Sequence, residues 1–443
     1  MSEPKRGVYY VSLGCFKNLY DTEDISGFLA DAGFEPVGVP EQADVIFINT
    51  CSFIRPAREE SEAVINEMMN TVPDVPCIIG GCMVQQYGKE LFDRFPEAAG
   101  LVSFQYYHMI GEIALSAVNG ERVCRTGTEY SLPWWHERRY RMTPGSYAYL
   151  KISEGCDSNC TFCTIPSIRG PYTSQSVEDL VQRALTLSLY GVKEIILISQ
   201  DSSRYGKDVY GEPSLPALLR EMVRIDSLEW IRVLYLYPGS CLNDELIYLM
   251  AEEKKICSYF DIPFQHVSPS VLKRMGRNGS PGDYAAFIAR IREACADAAV
   301  RTTLMTGFPG ETEDDFNMLR SFVSEMKMDH VGCFVYSDEE KAPSRSLGSK
   351  VSRKKAKQRK HILMGLQKDI TAENNERRIG NVYRVAVDGE SEAGLMVGHA
   401  EFQSPEVDGI VVWKGESDPG TFADVEITGY DGYDLEGMLK HEG

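Results

Sequence analysis

The sequence predicts an α/β protein: an N-terminal parallel α/β domain over 1–118, a linker over 119–144, a central incomplete (β/α)6 barrel over 145–374 and a small antiparallel β-barrel over 376–443. Three observations predict it. Short β-rich runs alternate with helical patterns twice over, before and after a break in periodicity near 119–144. The last seventy or so residues change to closely spaced β runs separated by Gly, Asp and Pro turns. And 443 residues are too many for one compact core.

In the N-terminal part the runs 8–13, 44–50 and 77–81 read as strands, followed by helical patterns through Ile25 and Leu29, over about 58–69, and beyond Cys82. The carboxyl ends of parallel strands share one edge, where open α/β folds bind ligands. Cys15, Cys51 and Cys82 each end one of these strands, so residues far apart in sequence become a set of three thiols in space. The alternative is three small buried residues, a common place for Cys. Lys17 reads as an exposed charge at a helix start.

The break contains Pro133-Trp134-Trp135 and a basic group at Arg138, Arg139 and Arg141, read as a linker whose tryptophans pack against a domain. Beyond it six strand candidates, 148–152, 194–199, 231–237, 259–263, 301–306 and 330–336, are separated by helical stretches such as 177–190 and 284–296. After the first strand comes Glu154-Gly155-Cys156-Asp157-Ser158-Asn159-Cys160-Thr161-Phe162-Cys163, which places three cysteines on the face where barrel chemistry occurs. A closed structural zinc site needs four protein ligands, whereas an iron-sulfur cubane held by three thiolates keeps one iron open. Spacing alone leaves both readings standing. His266 is read as a half-buried, hydrogen-bonded imidazole with no proton-transfer role.

The C-terminal runs 382–387, 394–398, 409–413 and 422–427 suggest a barrel of oligonucleotide-binding type. Its charge argues against that use: 376–443 holds 5 Lys or Arg and 15 Asp or Glu, a net −10 (5 minus 15), in a chain of net −19. Nucleic-acid affinity comes largely from neutralised phosphates, so a basic protein is the easier partner. The counterexample within the chain is 350–361, with seven Lys or Arg and no acid, a solvated helix face or an RNA contact. No N-terminal signal pattern and no apolar stretch of spanning length is present, which leads to the expectation of a cytoplasmic protein without a membrane partner. Twelve cysteines in such a compartment are better candidates for metal ligands than for disulfides.

The loop Cys156-x-x-x-Cys160-x-x-Cys163 resembles the signature of the radical S-adenosylmethionine (SAM) superfamily. That resemblance implies a 4Fe-4S cluster whose open iron is chelated by SAM, with reductive cleavage of SAM giving a 5′-deoxyadenosyl radical. The segments around Cys15, Cys51 and Cys82 resemble the N-terminal domain of the methylthiotransferase family, which implies a second 4Fe-4S cluster on those three cysteines. The strand ends 199–201, 261–266 and 306–311 resemble SAM-contacting segments, implying Gln265 and Thr306 near SAM. The C-terminal part resembles the TRAM domain. Residues 165–170, 199–206 and 405–409 are similar to the branch of the family that modifies an aspartate of a ribosomal protein.

The activity so implied is insertion of a methylthio group at the β-carbon of an aspartate in small ribosomal subunit protein twelve. It calls for an electron donor such as flavodoxin or ferredoxin and for a sulfur source. Two departures stand out: Gln175 where the family usually has Arg, and His399 where related TRAM segments often have Arg. The rivals are the same chemistry on a tRNA adenosine, which the acidic C-terminal part makes unlikely, and a non-catalytic iron-sulfur electron carrier or redox sensor.

Overall fold

The computed structural model describes residues 5–127, 136, 139–239 and 241–440. Trp134, Trp135 and Arg138, the aromatic and basic features expected of a linker, lie outside these residues. The chain forms two compact units, one of the residues up to Met142 with Ser153–Ser158 and Cys163–Thr173, the other of Thr143–Ile152, Asn159–Phe162 and the chain from Ser174 onward. No helix among the described residues is long and apolar enough to cross a membrane.

The first unit is built on strands β1 (Arg6–Ser12), β2 (Phe34–Pro36), β3 (Val45–Thr50), β4 (Cys77–Gly81), β5 (Gly100–Val102) and β6 (Val123–Arg125). All pair in parallel, in the order β2-β1-β3-β4-β5-β6. Helices α1 (Phe16–Asp31), α2 (Arg55–Thr71), α3 (Cys82–Tyr87), α4 (Leu91–Arg94) and α5 (Ile110–Val118) make the crossovers. Strand β3 is buried at every position because both faces are covered. Val45 and Phe47 join one core with Ile78 and Val102, while Ile46 and Ile48 join another with Ile79 and Leu101, which is the two-residue alternation of a strand read from both sides.

Two features differ from the linker expected over 119–144. Val123–Arg125 is the edge strand of the sheet. Farther on, the chain straps α1, with Tyr140 N donating to Ser26 Oγ at 2.7 Å and Met142 N to Glu23 Oε1 at 2.9 Å. Arg139 is buried there, 3.6 Å from Glu23 and 3.7 Å from Asp24, with its guanidinium over the Tyr20 ring. Helix α1 therefore buries Asp21, Glu23 and Asp24 instead of exposing a polar face, because cations meet them.

Strands β7 (Tyr147–Lys151), β8 (Ser153–Glu154) and β9 (Thr173–Ser174) lie about the cysteine loop, with α6 (Ile165–Arg169) following its last cysteine. The second unit continues with α7 (Val177–Leu189), β10 (Glu194–Ile198), α8 (Lys207–Tyr210), α9 (Leu215–Met222), β11 (Trp230–Val233), α10 (Asp244–Glu252), β12 (Tyr259–Asp261), α11 (Pro269–Arg274), α12 (Pro281–Ala294), β13 (Ala299–Thr306), α13 (Glu313–Met326), β14 (His330–Val335) and α14 (Arg353–Glu376). All six expected barrel strands are present, as two parallel three-stranded halves, β11-β10-β7 and β12-β13-β14. A bridge from Ile231 to Ile256 and a bond from Leu236 N to Asp261 O join the halves.

The C-terminal barrel closes with five strands, β15 (Val382–Glu390), β16 (Met396–Ala400), β17 (Val411–Lys414), β18 (Phe422–Asp431) and β19 (Asp434–Leu439), in the order β15-β16-β17-β19-β18. The fifth, β19, was not expected from the sequence; Asp434, Glu436 and Gly437 hide its strand pattern.

The segment after β16 covers the amino ends of the partial-barrel strands. Tyr147 OH donates to Glu406 Oε1 at 2.7 Å, Tyr259 OH to Asp408 Oδ2 at 2.6 Å, and Arg232 Nη1 to Glu401 O at 2.6 Å. At its centre is a chain of charges in which His399, Glu194 and Arg232 are fully buried and Asp388 partly so: His399 Nε2 to Glu194 Oε2 at 2.6 Å, His399 Nδ1 to Asp388 Oδ2 at 2.8 Å, and Arg232 Nε to Glu194 Oε1 at 2.7 Å. Burial alone pushes the His399 pKa down, but Glu194 and Asp388 overcome it and raise it to about 9. The His that replaces the expected Arg is thus a cation in the fold.

A histidine whose folded pKa is raised stabilises fully below its unfolded pKa, near 6.5, and loses that stabilisation as pH rises through about 9. Urea denaturation between these values should show stability of the chain falling by about 3 kcal/mol, and the fall should be absent in His399→Gln. At neutral pH His399→Ala should cost ~3 kcal/mol, since it takes from buried Glu194 one of its two cations, leaving Arg232 alone, and from Asp388 its ion partner.

Candidate functional site

The first unit brings Cys15, Cys51 and Cys82 to the carboxyl ends of the adjacent strands β1, β3 and β4. Register places Ser12 beside Asn49, and Asn49 beside Gly80, so the three ends are level. The sheet reverses its strand order between β1 and β3, a topological switch point of the kind that opens a ligand crevice in α/β folds. Cys15 is exposed, Cys51 and Cys82 are buried, and none of the twelve cysteines is in a disulfide. Burial pushes the Cys51 thiol up to about 12, with Cys82 and Cys15 adding to the rise, and the Cys82 thiol up to about 11, with Arg169 opposing.

One side chain joins these ends. Asn18, fully buried at the start of α1, donates through Nδ2 to Leu13 O at 2.8 Å and Thr50 O at 3.0 Å, while its Oδ1 accepts from the Cys82 thiol at 3.7 Å. Leu13 is two residues before Cys15, and Thr50 immediately precedes Cys51. Asn49 returns the link, its Nδ2 donating to Asn18 O at 2.8 Å. Lys17, expected as an exposed charge, is 8 % exposed, because α1 buries its first turn along with the rest.

Glycine is required at Gly14, where φ is +96° and a methyl group would fall 2.6 Å from Cys51 Cβ and 2.8 Å from its Sγ. At Gly81, with φ +93°, a methyl group would meet Asn49 Oδ1 and the Thr50 backbone at 2.4–2.6 Å.

Arg169, quoted in sequence only as part of a motif, is a site residue that sequence reasoning missed. It lies in the same unit, 4 % exposed, with Nη1 donating to Asp21 Oδ2 at 2.8 Å and Glu154 Oε2 at 3.0 Å, and Nη2 to Asn18 Oδ1 and to Cys82 Sγ, the latter at 3.7 Å. No local signal marks it; its partners come from three separate stretches of chain, α1, the end of β4 and the start of the cysteine loop.

In the cysteine loop, Cys156 Sγ accepts from Ser158 N at 3.4 Å and Cys163 Sγ from Ile165 N at 3.4 Å, the aim of backbone donors that a thiolate uses. Gly155, with φ +74°, turns the loop where a side chain would strike Pro171 O. In the second unit, the stretch with Cys160 is anchored by Thr161, whose N donates to Met275 O at 2.9 Å and whose Oγ1 donates to Arg274 O at 2.8 Å. Each of the three is partly exposed.

The donor sets are thiols alone, which suits iron-sulfur chemistry, and a bound metal core reverses the burial penalty on a thiolate. Among the described residues no three Cys, His, Asp or Glu are gathered tightly enough for a single ion. Three thiolates on separate corners of a cubane stand wider than three on one ion.

The other strand ends of the second unit are braced sideways. Ser202 Oγ donates to Leu234 O at 2.6 Å, and Tyr235 N to Asp261 Oδ2 at 3.0 Å. Tyr235 and Gln265 adopt φ of +62° and +67°, strained conformations for residues with side chains, of the sort that cluster at functional sites. Gln265 is held by Thr303 O and Met305 N of β13 and is half-buried. Thr306 is fully buried with its hydroxyl donating to Ala356 O of α14 at 3.0 Å, so it fixes the end of β13 and does not present its hydroxyl to a ligand.

His266 is fully buried, not half-buried; its Nδ1 accepts from Ser268 N, and burial pushes its pKa down to about 4, leaving a neutral ring. Gln175 is also buried, its Nε2 donating to Lys151 O at 2.8 Å and its backbone carbonyl accepting from Tyr205 OH.

Residues 150–323 match the model of the Radical SAM superfamily, 7–103 that of the uncharacterized protein family UPF0004, and 379–439 that of the TRAM domain. Among solved structures, the radical SAM methyltransferase TsrM from Kitasatospora setae, with cobalamin and a [4Fe-4S] cluster bound, has TM-score 0.53 over 89 % of this chain and 77 % of its own at 14 % identity, a likeness of fold. Fold and cysteine loop together define a radical SAM enzyme, a class whose chemistry uses a 4Fe-4S cluster and SAM.

The ribosomal protein uS12 methylthiotransferase RimO of Alkaliphilus oremlandii is 42 % identical over 98 % of this chain and 99 % of its own, and that of Clostridioides difficile 40 % identical over 97 % and 98 %. The chain belongs to the RimO family of methylthiotransferases and is a transferase.

Gly14→Ala and Gly33→Ala separate backbone strain from crowding, since Gly33 has φ +87° with nothing within 4 Å of an added methyl. Gly33→Ala should cost about 1 kcal/mol and Gly14→Ala about 2 kcal/mol more, read as urea midpoints of the metal-free chain. Equal costs would mean that Cys51 does not press on Gly14.

Proposed function

We propose that this chain adds a methylthio group to the β-carbon of an aspartate of ribosomal protein uS12. The observation that carries this reading is near full-length identity of about 40 % to RimO proteins, with both cysteine trios present. Cys156, Cys160 and Cys163 would hold the cluster that binds SAM, and Cys15, Cys51 and Cys82 a second 4Fe-4S cluster on which the sulfur is presented. Bound there, the SAM cluster supplies one-electron cleavage of SAM, hence hydrogen abstraction from a carbon that has no leaving group. Gln265 lines the SAM site through its strained backbone, and Thr306 is a positioning residue for the same edge.

The protein's own charges support a basic protein substrate over tRNA. The C-terminal barrel is net −10 over 376–443 (5 minus 15). Of the seven cations in 350–361, Arg359 is buried against Glu311, while Lys350 and Lys355 pair with Asp338 and Glu313. That leaves less of a phosphate-binding face than the sequence suggested. The remaining parts of the proposal are the functional division at 1–118, 119–144, 145–374 and 376–443, a flavodoxin- or ferredoxin-type electron donor, a separate sulfur source and a cytoplasmic location.

Anaerobic reconstitution should give about eight iron and eight sulfide per chain, and about four after replacement of either trio by Ala. Reduced enzyme given SAM, a sulfur source and purified uS12 should release 5′-deoxyadenosine and yield a methylthio-aspartate in the uS12 mass spectrum. Methylthio groups appearing on tRNA and not on uS12 would overturn the substrate, and no 5′-deoxyadenosine would make the protein an electron carrier or sensor.

A further inference from the structure

Arg169 makes contacts that its two carboxylates do not explain. Asp21 and Glu154 both bind Nη1, and that pairing alone would satisfy a buried cation. The other nitrogen, Nη2, is spent on Asn18 Oδ1 and on Cys82 Sγ at 3.7 Å, while the guanidinium face lies 4.4 Å over the Phe104 ring. A sulfur is a weak acceptor unless it carries charge, so a cation aimed at Cys82 suits a thiolate better than a thiol; as a thiolate Cys82 gives up its donation to Asn18 Oδ1 and leaves that oxygen to Arg169. Donation to Asn18 Oδ1 also fixes which way the amide faces: with Oδ1 held by Arg169, Nδ2 must point to Leu13 O and Thr50 O, the carbonyls just ahead of Cys15 and Cys51. One guanidinium therefore reaches the strand ends of all three cysteines. It comes from α6, six residues after Cys163, and Glu154, which it also binds, is two residues before Cys156.

We propose that Arg169 is a positioning residue for the Cys15, Cys51 and Cys82 trio, locking the Asn18 amide across the three strand ends and donating to the Cys82 sulfur so as to set the reduction potential of the cluster held there. The inference rests on the reading of these three cysteines as cluster ligands. Hydrogen bonds and positive charge at a ligand sulfur favour the reduced, more negative cluster and raise its potential. Lysine cannot replace the fork, since it carries one nitrogen in place of the two that divide these partners.

The test uses the full chain with Cys156, Cys160 and Cys163 changed to Ala, so that only the N-terminal trio remains, reconstituted anaerobically with iron and sulfide. Iron content, the electron paramagnetic resonance spectrum of the reduced cluster and its midpoint potential are then compared for Arg169, Arg169→Lys, Arg169→Gln and Asp21→Asn. Arg169→Gln should lower the ratio of reduced to oxidised cluster at fixed potential about tenfold, a shift of ~59 mV for one electron. Arg169→Lys should keep part of the potential but change the spectrum, and Asp21→Asn should shift the potential the other way.

Full iron with unmoved potentials and spectra across the series would overturn the proposal. If Arg169→Gln loses iron, Arg169→Lys and Asp21→Asn decide by the same criteria. A parent that binds no iron would end the reading of the trio itself, and the proposal with it, an outcome distinct from iron bound and insensitive to Arg169.

Discussion

A parallel sheet sets its strand ends on one edge but does not fix the loops that leave them, and in the first unit that task falls to the Asn18 amide. It is buried, so each of its polar atoms must be matched. Its nitrogen takes the carbonyls of Leu13 and Thr50, and its oxygen takes the Cys82 thiol and Arg169. The glycines at 14 and 81 follow from the same closeness, since three chains drawn to one amide leave no room for a side chain at either turn. The burial of Lys17 and of the acids along α1 follows as well: a helix whose first turn is committed to strand ends carries its polar face inward, and Arg139 and Arg169 are there to meet it.

The edge of the second unit is ordered differently. No single residue gathers it; each strand end is tied to its neighbour, by Ser202 to the end of β11 and by Asp261 to Tyr235. The positive φ values of Tyr235 and Gln265 are held by these ties and by β13. Strain of this sort persists where the surroundings over-determine the backbone. It turns the chain sharply just past the carboxyl ends of β11 and β12, with the backbone groups of both residues taken up by their neighbours.

Much of this was legible beforehand, for physical reasons that differ by element. Strands β3 and β10 are dense in Val, Ile, Leu and Phe because they are buried at every position, and such runs are visible without knowledge of their neighbours. The cysteines could be placed on one edge because parallel pairing allows no other arrangement. β19 was not legible: in Asp434–Leu439 three of the six residues, Asp434, Glu436 and Gly437, are acidic or glycine, and only closure of the barrel makes it a strand. Arg169 was not legible either, since Asp21, Asn18, Cys82 and Glu154 are spread over more than a hundred residues. His399 was visible as a departure, but its charge is decided by Glu194, two hundred residues earlier. Thr306 was expected near SAM from its place at the end of β13; that its hydroxyl is taken up by Ala356 O of α14 could not be read from the sequence.

The segment between β16 and β17 bears on more than stability. With His399 of β16, its residues Glu401, Phe402, Glu406 and Asp408 cover the amino ends of the partial barrel with direct bonds to all six strands. The C-terminal module is thus a lid on one end of these strands, and a chain cut before it would bare the amino ends of all six together with the buried ion pair of Glu194 and Arg232.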